Sequence, residues 1–317
     1  MARTTGVPSG RSPAGQQRTP LDRLPAWATT GVGSLPHTFP EPAAAHAVGE
    51  YDVPFCPQLP RLEGDMVTTW LGADPLRCGW SPDRDRERPA AWDAFLAALA
   101  RHPPAHGLVK LQVTGPVTLA RSLEREPAAV ARLAEGIAAW LAAAAAGQVA
   151  ALAARGLTAM LMVDEPALAA CPAPPAVWDP LRAIAPCWGL HLCCAVPWGL
   201  VDVAAPDVLS FDLTLGAPDR RAAEVLERHL ARGGRVAWGV LAADRPERAV
   251  HGAWRLGAAL ARIGADPANV GARSMLTPSC GTGRVTLRRE AELTAALDQV
   301  AARARGRQPS GRPRAGG

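Results

Sequence analysis

A single α/β domain, built as a (β/α)8 TIM barrel with disordered tails, is the fold this sequence predicts, and three observations predict it. Eight short apolar runs alternate with helical stretches over roughly 275 residues, about the span such a barrel takes. An apolar fraction of 48% is ample for one large core. Polar and sulfur-bearing residues gather where the runs end, which is the rim on which this architecture carries chemistry. The implied divisions are a disordered tail over 1–26, the barrel over 27–302 and a disordered basic tail over 303–317. A doubly wound open sheet is the runner-up.

The first run, 29–35, is halted by Pro36. Its Gly31-x-Gly33 is not a dinucleotide fingerprint, because Pro36 stands where the third glycine belongs. A helical stretch over 41–50 leads to a brief second strand, 53–56, closed by Pro57. Two more helical stretches, 63–71 and 89–101, precede a third strand over 108–114 that Gly115 and Pro116 stop. The chain is then uncharged from Gly136 to Ala154, which is membrane-span length. Its large residues Leu133, Ile137, Trp140 and Leu141 recur every three to four positions, so a soluble helix with one buried stripe is the better reading.

The fourth strand, 157–163, ends at Asp164-Glu165-Pro166, and the fifth, 187–194, lies between Pro186 and Pro197. Strands over 208–213, 236–241 and 272–276 alternate with helices over 219–232, 246–263 and 287–303 and complete the count.

The net charge is +5, but its location argues against a nucleic-acid partner. Residues 1–24 carry +3 and residues 303–317 carry +5, which leaves the middle of the chain at −3. Both tails are rich in Pro, Gly, Ser and Arg with little to bury, the composition of solvated ends. Seven scattered cysteines suit reduced thiols or metal ligands better than a disulfide framework. No apolar segment follows the N-terminal arginines, so the expectation is a cytoplasmic protein with no signal peptide and no membrane partner.

Side chains on a strand alternate faces, so His191 and Cys193 share one face of the fifth strand. An imidazole and a thiol side by side are half of a zinc site, and Cys280, just beyond the eighth strand, supplies a third donor. Such a set leaves a position for substrate, and Asp212 at the end of the sixth strand could add a carboxylate. Zinc with two thiolates and a neutral His has no net charge, or −1 if Asp212 binds. A metal that electron-rich generates hydroxide poorly but holds another thiolate well, which favours alkylation of a thiol over hydrolysis.

Asp164 and Glu165 could bind the ammonium of an amino-acid substrate or cap a helix. Ser34 could hold a substrate carboxylate or serve as a plain turn residue. No nucleophile elbow and no Walker sequence occurs.

Six segments occur in the order and at spacings similar to those of a known family. They are Thr29-Thr30-Gly31-Val32-Gly33-Ser34-Leu35-Pro36-His37-Thr38, Val113-Thr114-Gly115-Pro116-Val117-Thr118, Val163-Asp164-Glu165-Pro166-Ala167-Leu168, His191-x-Cys193, Asp207-Val208-Leu209-Ser210-Phe211-Asp212 and Ser279-Cys280-Gly281. Together they resemble the catalytic barrel of cobalamin-independent methionine synthase, within the uroporphyrinogen decarboxylase-like barrels.

The resemblance implies a zinc-dependent methyltransferase in which a homocysteine thiolate attacks a methyl group to give methionine. It implies His191, Cys193 and Cys280 as Zn2+ ligands, and Ser34, Asp164 and Glu63 as holders of the amino-acid part of the substrate. Three departures stand out. Asp212 replaces the family's glutamate ligand, Val240-Leu241-Ala242-Ala243 stands where the family has a histidine, and the family's N-terminal barrel has no counterpart. The methyl donor is therefore either methyltetrahydrofolate or a methyl-corrinoid protein. A uroporphyrinogen decarboxylase-like enzyme and a non-catalytic barrel binding zinc or a thiol are the alternatives. The first ranks lower because Lys110 is the only lysine and no arginine lies at a predicted strand end.

Overall fold

The computed structural model describes residues 20–72 and 88–306. Its centre is a seven-stranded sheet in the order β1-β7-β6-β5-β4-β3-β2. The strands are β1 Ala28–Thr29, β2 Leu108–Thr114, β3 Thr158–Asp164, β4 Cys187–Leu192, β5 Val208–Asp212, β6 Arg235–Leu241 and β7 Ser274–Pro278. Every neighbouring pair is parallel, so each connection is a crossover, and helices fill most of them. Both faces of such a sheet are covered, which is why its strands read as near-continuous apolar runs.

The alternation along β3 sorts the two faces. Ala159, Leu161 and Val163 belong to the large core between sheet and helices, where Trp178, Trp238 and Phe95 are fully buried. Met160 and Met162 join a second, smaller cluster inside the curl of the sheet with Leu108, Cys187, Val208, Ala237 and Met275. Further along the same inward face the residues turn polar. Register carries Thr114 to Asp164, Asp164 to His191, His191 to Ser210 and Ser210 to Ala237, so one rung crosses five strands.

The arrangement is consistent with a TIM-like barrel but departs from the expected eight strands at one seam. Of the predicted first strand, 29–35, only Thr29 keeps ladder pairing, together with Ala28 before it. The predicted second strand, 53–56, is not a strand. It contributes an isolated bridge of Phe55 to Lys110, and Ser34 bridges Gln58 beside it. A few hydrogen bonds do the joining: Val53 N–H to Thr29 O, Gln58 N–H to Gly33 O with Leu35 N–H to Gln58 O, and Lys110 N–H to Pro54 O with Cys56 N–H to Lys110 O. Pro54 and Pro57 have no N–H to donate, which denies this segment a regular ladder.

The apolar helix Pro127–Ala153 is long and apolar enough to cross a membrane by length and composition. Here it buries a stripe of Val130, Ala134, Ile137, Leu141, Ala145 and Leu152, with Glu126 capping its first turn through Ala129 N–H. The tails predicted over 1–26 and 303–317 lie mostly outside the described residues. Their described parts belong to the fold. Pro20–Arg23 is a 3-10 turn whose Asp22 pairs with Arg235 at 2.6 Å, and Arg305 pairs with Asp52 at 2.7 Å.

Candidate metal centre

Three strand ends deliver three donors to one mouth. His191 is the next-to-last residue of β4, Cys193 follows its end by one position, and Cys280 lies two residues past β7. Their ligand atoms all lie within 4.8 Å of one another. His191 is buried, and its Nδ1 meets Ser210 Oγ at 2.8 Å. Its Nε2 is buried with no hydrogen-bond partner. A buried ring nitrogen without a partner is unfavourable unless something else binds it, and a ring oriented through its other nitrogen is how metal-binding histidines are held. The two neighbouring thiols act on each other, which pushes the Cys193 thiol up and the Cys280 thiol down, and the nearby His191 also lowers Cys280. Two soft sulfurs and one imidazole nitrogen in this proximity fit Zn2+.

Asp212, the fourth ligand expected from the sequence, is not in this group. Its Oδ1 accepts Thr214 N–H at 2.6 Å and caps the 3-10 turn Leu213–Leu215. Burial raises its pKa, and the charges of Cys280 and His191 also act on it, so it stands near the donors without joining them.

The acidic pair after β3 splits. Asp164 closes the strand on the inward face, where it senses His191, Lys110 and Cys280. Burial pushes its pKa up to about 6, and its Oδ1 has no partner. Glu165 points the other way and is fully buried. It accepts Val117 N–H at 3.1 Å, Thr118 N–H at 2.8 Å, Thr118 Oγ1–H at 2.7 Å and Trp178 Nε1–H at 3.1 Å. Its carboxylate therefore sits at the N-terminus of helix Pro116–Leu123, which is the capping role that the sequence also allowed. Gly115 makes that approach possible, since a Cβ there would lie 2.0 Å from Glu165 Cδ.

Glu63 is likewise engaged. Its two oxygens accept Leu59 N–H at 3.0 Å and Ala90 N–H at 2.7 Å, which joins two loops and leaves neither oxygen free of the backbone. Ser34 does sit beside the donors. Thr282, two residues past Cys280, donates its N–H to Ser34 O at 2.9 Å, and a Cβ on Gly281 would lie 2.0 Å from Ser34 Oγ.

Sequence reasoning missed two residues of the mouth. Ser210, which orients His191, is visible only once the β4–β5 register is known. Lys110 is buried in β2 and donates to the carbonyls of Gly31 and Val32. Its signal was available in the sequence: the chain's one lysine, in the middle of a mainly apolar strand.

No family model matches the chain, and no curated protein sequence matches it. Among solved structures, a B12-independent methionine synthase from Shewanella sp. W3-18-1 in complex with selenomethionine superposes with a TM-score of 0.64 at 17% identity, covering 89% of this chain and 98% of that one. A putative vitamin-B12-independent methionine synthase from Listeria monocytogenes aligns with a TM-score of 0.45 at 14% identity over 70% of each chain. The first likeness is one of fold.

Proposed function

We propose that this chain is a zinc-dependent methyltransferase that methylates a thiol, homocysteine, to give methionine. The observation that carries the reading is the convergence of His191, Cys193 and Cys280 donor atoms within 4.8 Å, with His191 Nε2 buried and unpartnered. The fold shared with a B12-independent methionine synthase supports it. So do the six sequence segments, which fall largely on the strand ends and their following turns.

In this reading the three residues hold Zn2+, which when bound lowers the pKa of an incoming thiol so that it reacts as the thiolate at neutral pH. Ser210 orients the His191 ring. Asp164, with a free acceptor facing the mouth, takes the substrate ammonium, and the Ser34 turn takes the carboxylate. Glu63 and Glu165 drop out, because their oxygens are already hydrogen-bonded within the fold. The substrate sulfur forms a bond to the methyl carbon as the methyl–carrier bond breaks, and the electron pair stays with the carrier. The thiol proton leaves to solvent; a folate carrier takes up a proton on the departing nitrogen, whereas a corrinoid keeps the pair on its cobalt. The carrier is an N-methyl folate or a methyl-corrinoid. Residues 53–58 serve as the eighth stave of a complete barrel, and the working location is the cytoplasm.

Zinc content of the purified protein, followed by homocysteine titration, tests this. One zinc per chain and one proton released per thiol bound are expected, together with methionine formation from methyltetrahydrofolate or methylcobalamin. Protein that takes up no zinc, or whose zinc never meets the added thiol, overturns the reading.

A further inference from the structure

Lys110 occupies the middle of β2, on the inward face between Leu108 and Gln112, and is 4% exposed. Burying an ammonium is unfavourable unless its hydrogens are used. Here Nζ donates to Gly31 O at 2.8 Å and also to Val32 O. Desolvation pulls its pKa down to about 8.

Those two carbonyls lie in the segment that leaves the sheet after Thr29, where a continuous ladder is replaced by isolated bridges. Gln112, the next inward residue of β2, donates Nε2–H to Cys56 O on the neighbouring segment, and its side chain fills the space that a Cβ on Gly33 would need. At its far end the segment is fixed by Thr282, whose N–H and Oγ1 both donate to Ser34 O, at 2.9 and 3.1 Å. The Gly31–Ser34 turn is thus fastened at one end by Lys110 and at the other by the turn that follows Cys280. A regular ladder would hold a strand here without burying a charge. What Lys110 holds instead is an irregular turn that ends at Ser34, beside the sulfur donors.

We propose that Lys110 is a positioning residue for the amino-acid end of the thiol substrate: by holding the carbonyls of Gly31 and Val32 it sets the place of Ser34 relative to Cys280. The inference rests on the reading that zinc and homocysteine occupy this mouth. Lys110 spends its hydrogen bonds on the turn and makes none to the metal donors, while its charge also reaches Asp164.

The test compares two thiols on zinc-loaded protein by calorimetry: homocysteine, and 2-mercaptoethanol, which has no amino-acid end. Lys110→Met is expected to bind zinc and 2-mercaptoethanol as the wild type does while its homocysteine affinity falls about tenfold. Lys110→Arg keeps the charge and the donors, and it recovers homocysteine binding to within about threefold of wild type. A variant that is merely less stable would lose both thiols together. Unchanged homocysteine affinity in Lys110→Met, or parallel loss of both thiols, overturns the proposal. If Lys110→Met does not fold, Lys110→Gln is read in its place, with a loss confined to homocysteine as the supporting result and an equal loss of both thiols as the contrary one. Wild-type protein that binds no homocysteine overturns the parent reading and this inference together. Intact wild-type binding with an unaffected Lys110 variant overturns this inference alone.

Discussion

The mouth inside the curled sheet and the packed layer behind it each contain a buried carboxylate, and the two are consecutive residues. Asp164 ends β3 facing the sulfur donors with one oxygen unpartnered, whereas Glu165 faces the helices with four hydrogen bonds. Burial raises both, Asp164 to about 6 and Glu165 to about 7. In the packed layer the protein compensates that burial internally. In the mouth the charges of His191 and Lys110 offset part of it, and one carboxylate oxygen keeps no hydrogen bond. The lesson is that period-two alternation along a strand, not residue type, divides chemistry from scaffolding here.

Removing a donor from the mouth should have the largest effect. Cys193→Ala and Cys280→Ala are each expected to weaken zinc binding by about a thousandfold, since structural zinc sites bind with about 10–16 kcal/mol in all and one protein donor is lost. Competition with a chelator measures this, and the apo forms should unfold near the wild-type urea midpoint. Next comes the layer behind. Glu165→Ala leaves the N–H groups of Val117, Thr118 and Trp178 without their acceptor and should lower stability by about 3 kcal/mol in urea denaturation. If it proves neutral, the scaffolding role of Glu165 is wrong.

Asp164 should behave in the opposite sense. A carboxyl whose pKa is raised to about 6 binds its proton more tightly folded than unfolded, so the metal-free protein loses stability as pH rises from about 4 to about 6. Asp164→Asn cannot ionise, and should therefore gain about 2 kcal/mol relative to wild type between pH 4 and pH 7 while binding homocysteine more weakly. Denaturation at the two pH values, with thiol titration alongside, checks both halves. The smallest effects should separate two neighbours of the donors. Ser210→Ala, which frees the His191 ring, is expected to weaken zinc about tenfold. Asp212→Asn, acting only as a nearby charge, should change it by about twofold. A larger effect for Asp212 would make it a ligand in the loaded protein.

By itself the sequence determined the α/β class and six of the strands to within a few residues, and it singled out the three sulfur and nitrogen side chains that the fold brings together, because buried parallel strands are written as apolar runs and their ends as polar or sulfur residues. It also held the candidates Ser34, Asp164, Glu165, Glu63 and Asp212, but gave no means of ranking them. Only the tertiary structure did that, because whether a carboxylate is open or engaged depends on partners far along the chain: Thr118 and Trp178 for Glu165, Ala90 for Glu63. The same holds for Ser210 under His191 and for Lys110 under the Ser34 turn, whose roles follow from register and from a seam where two prolines deny the sheet a regular ladder. Local pattern fixes which face a side chain takes, and long-range packing fixes what it meets there.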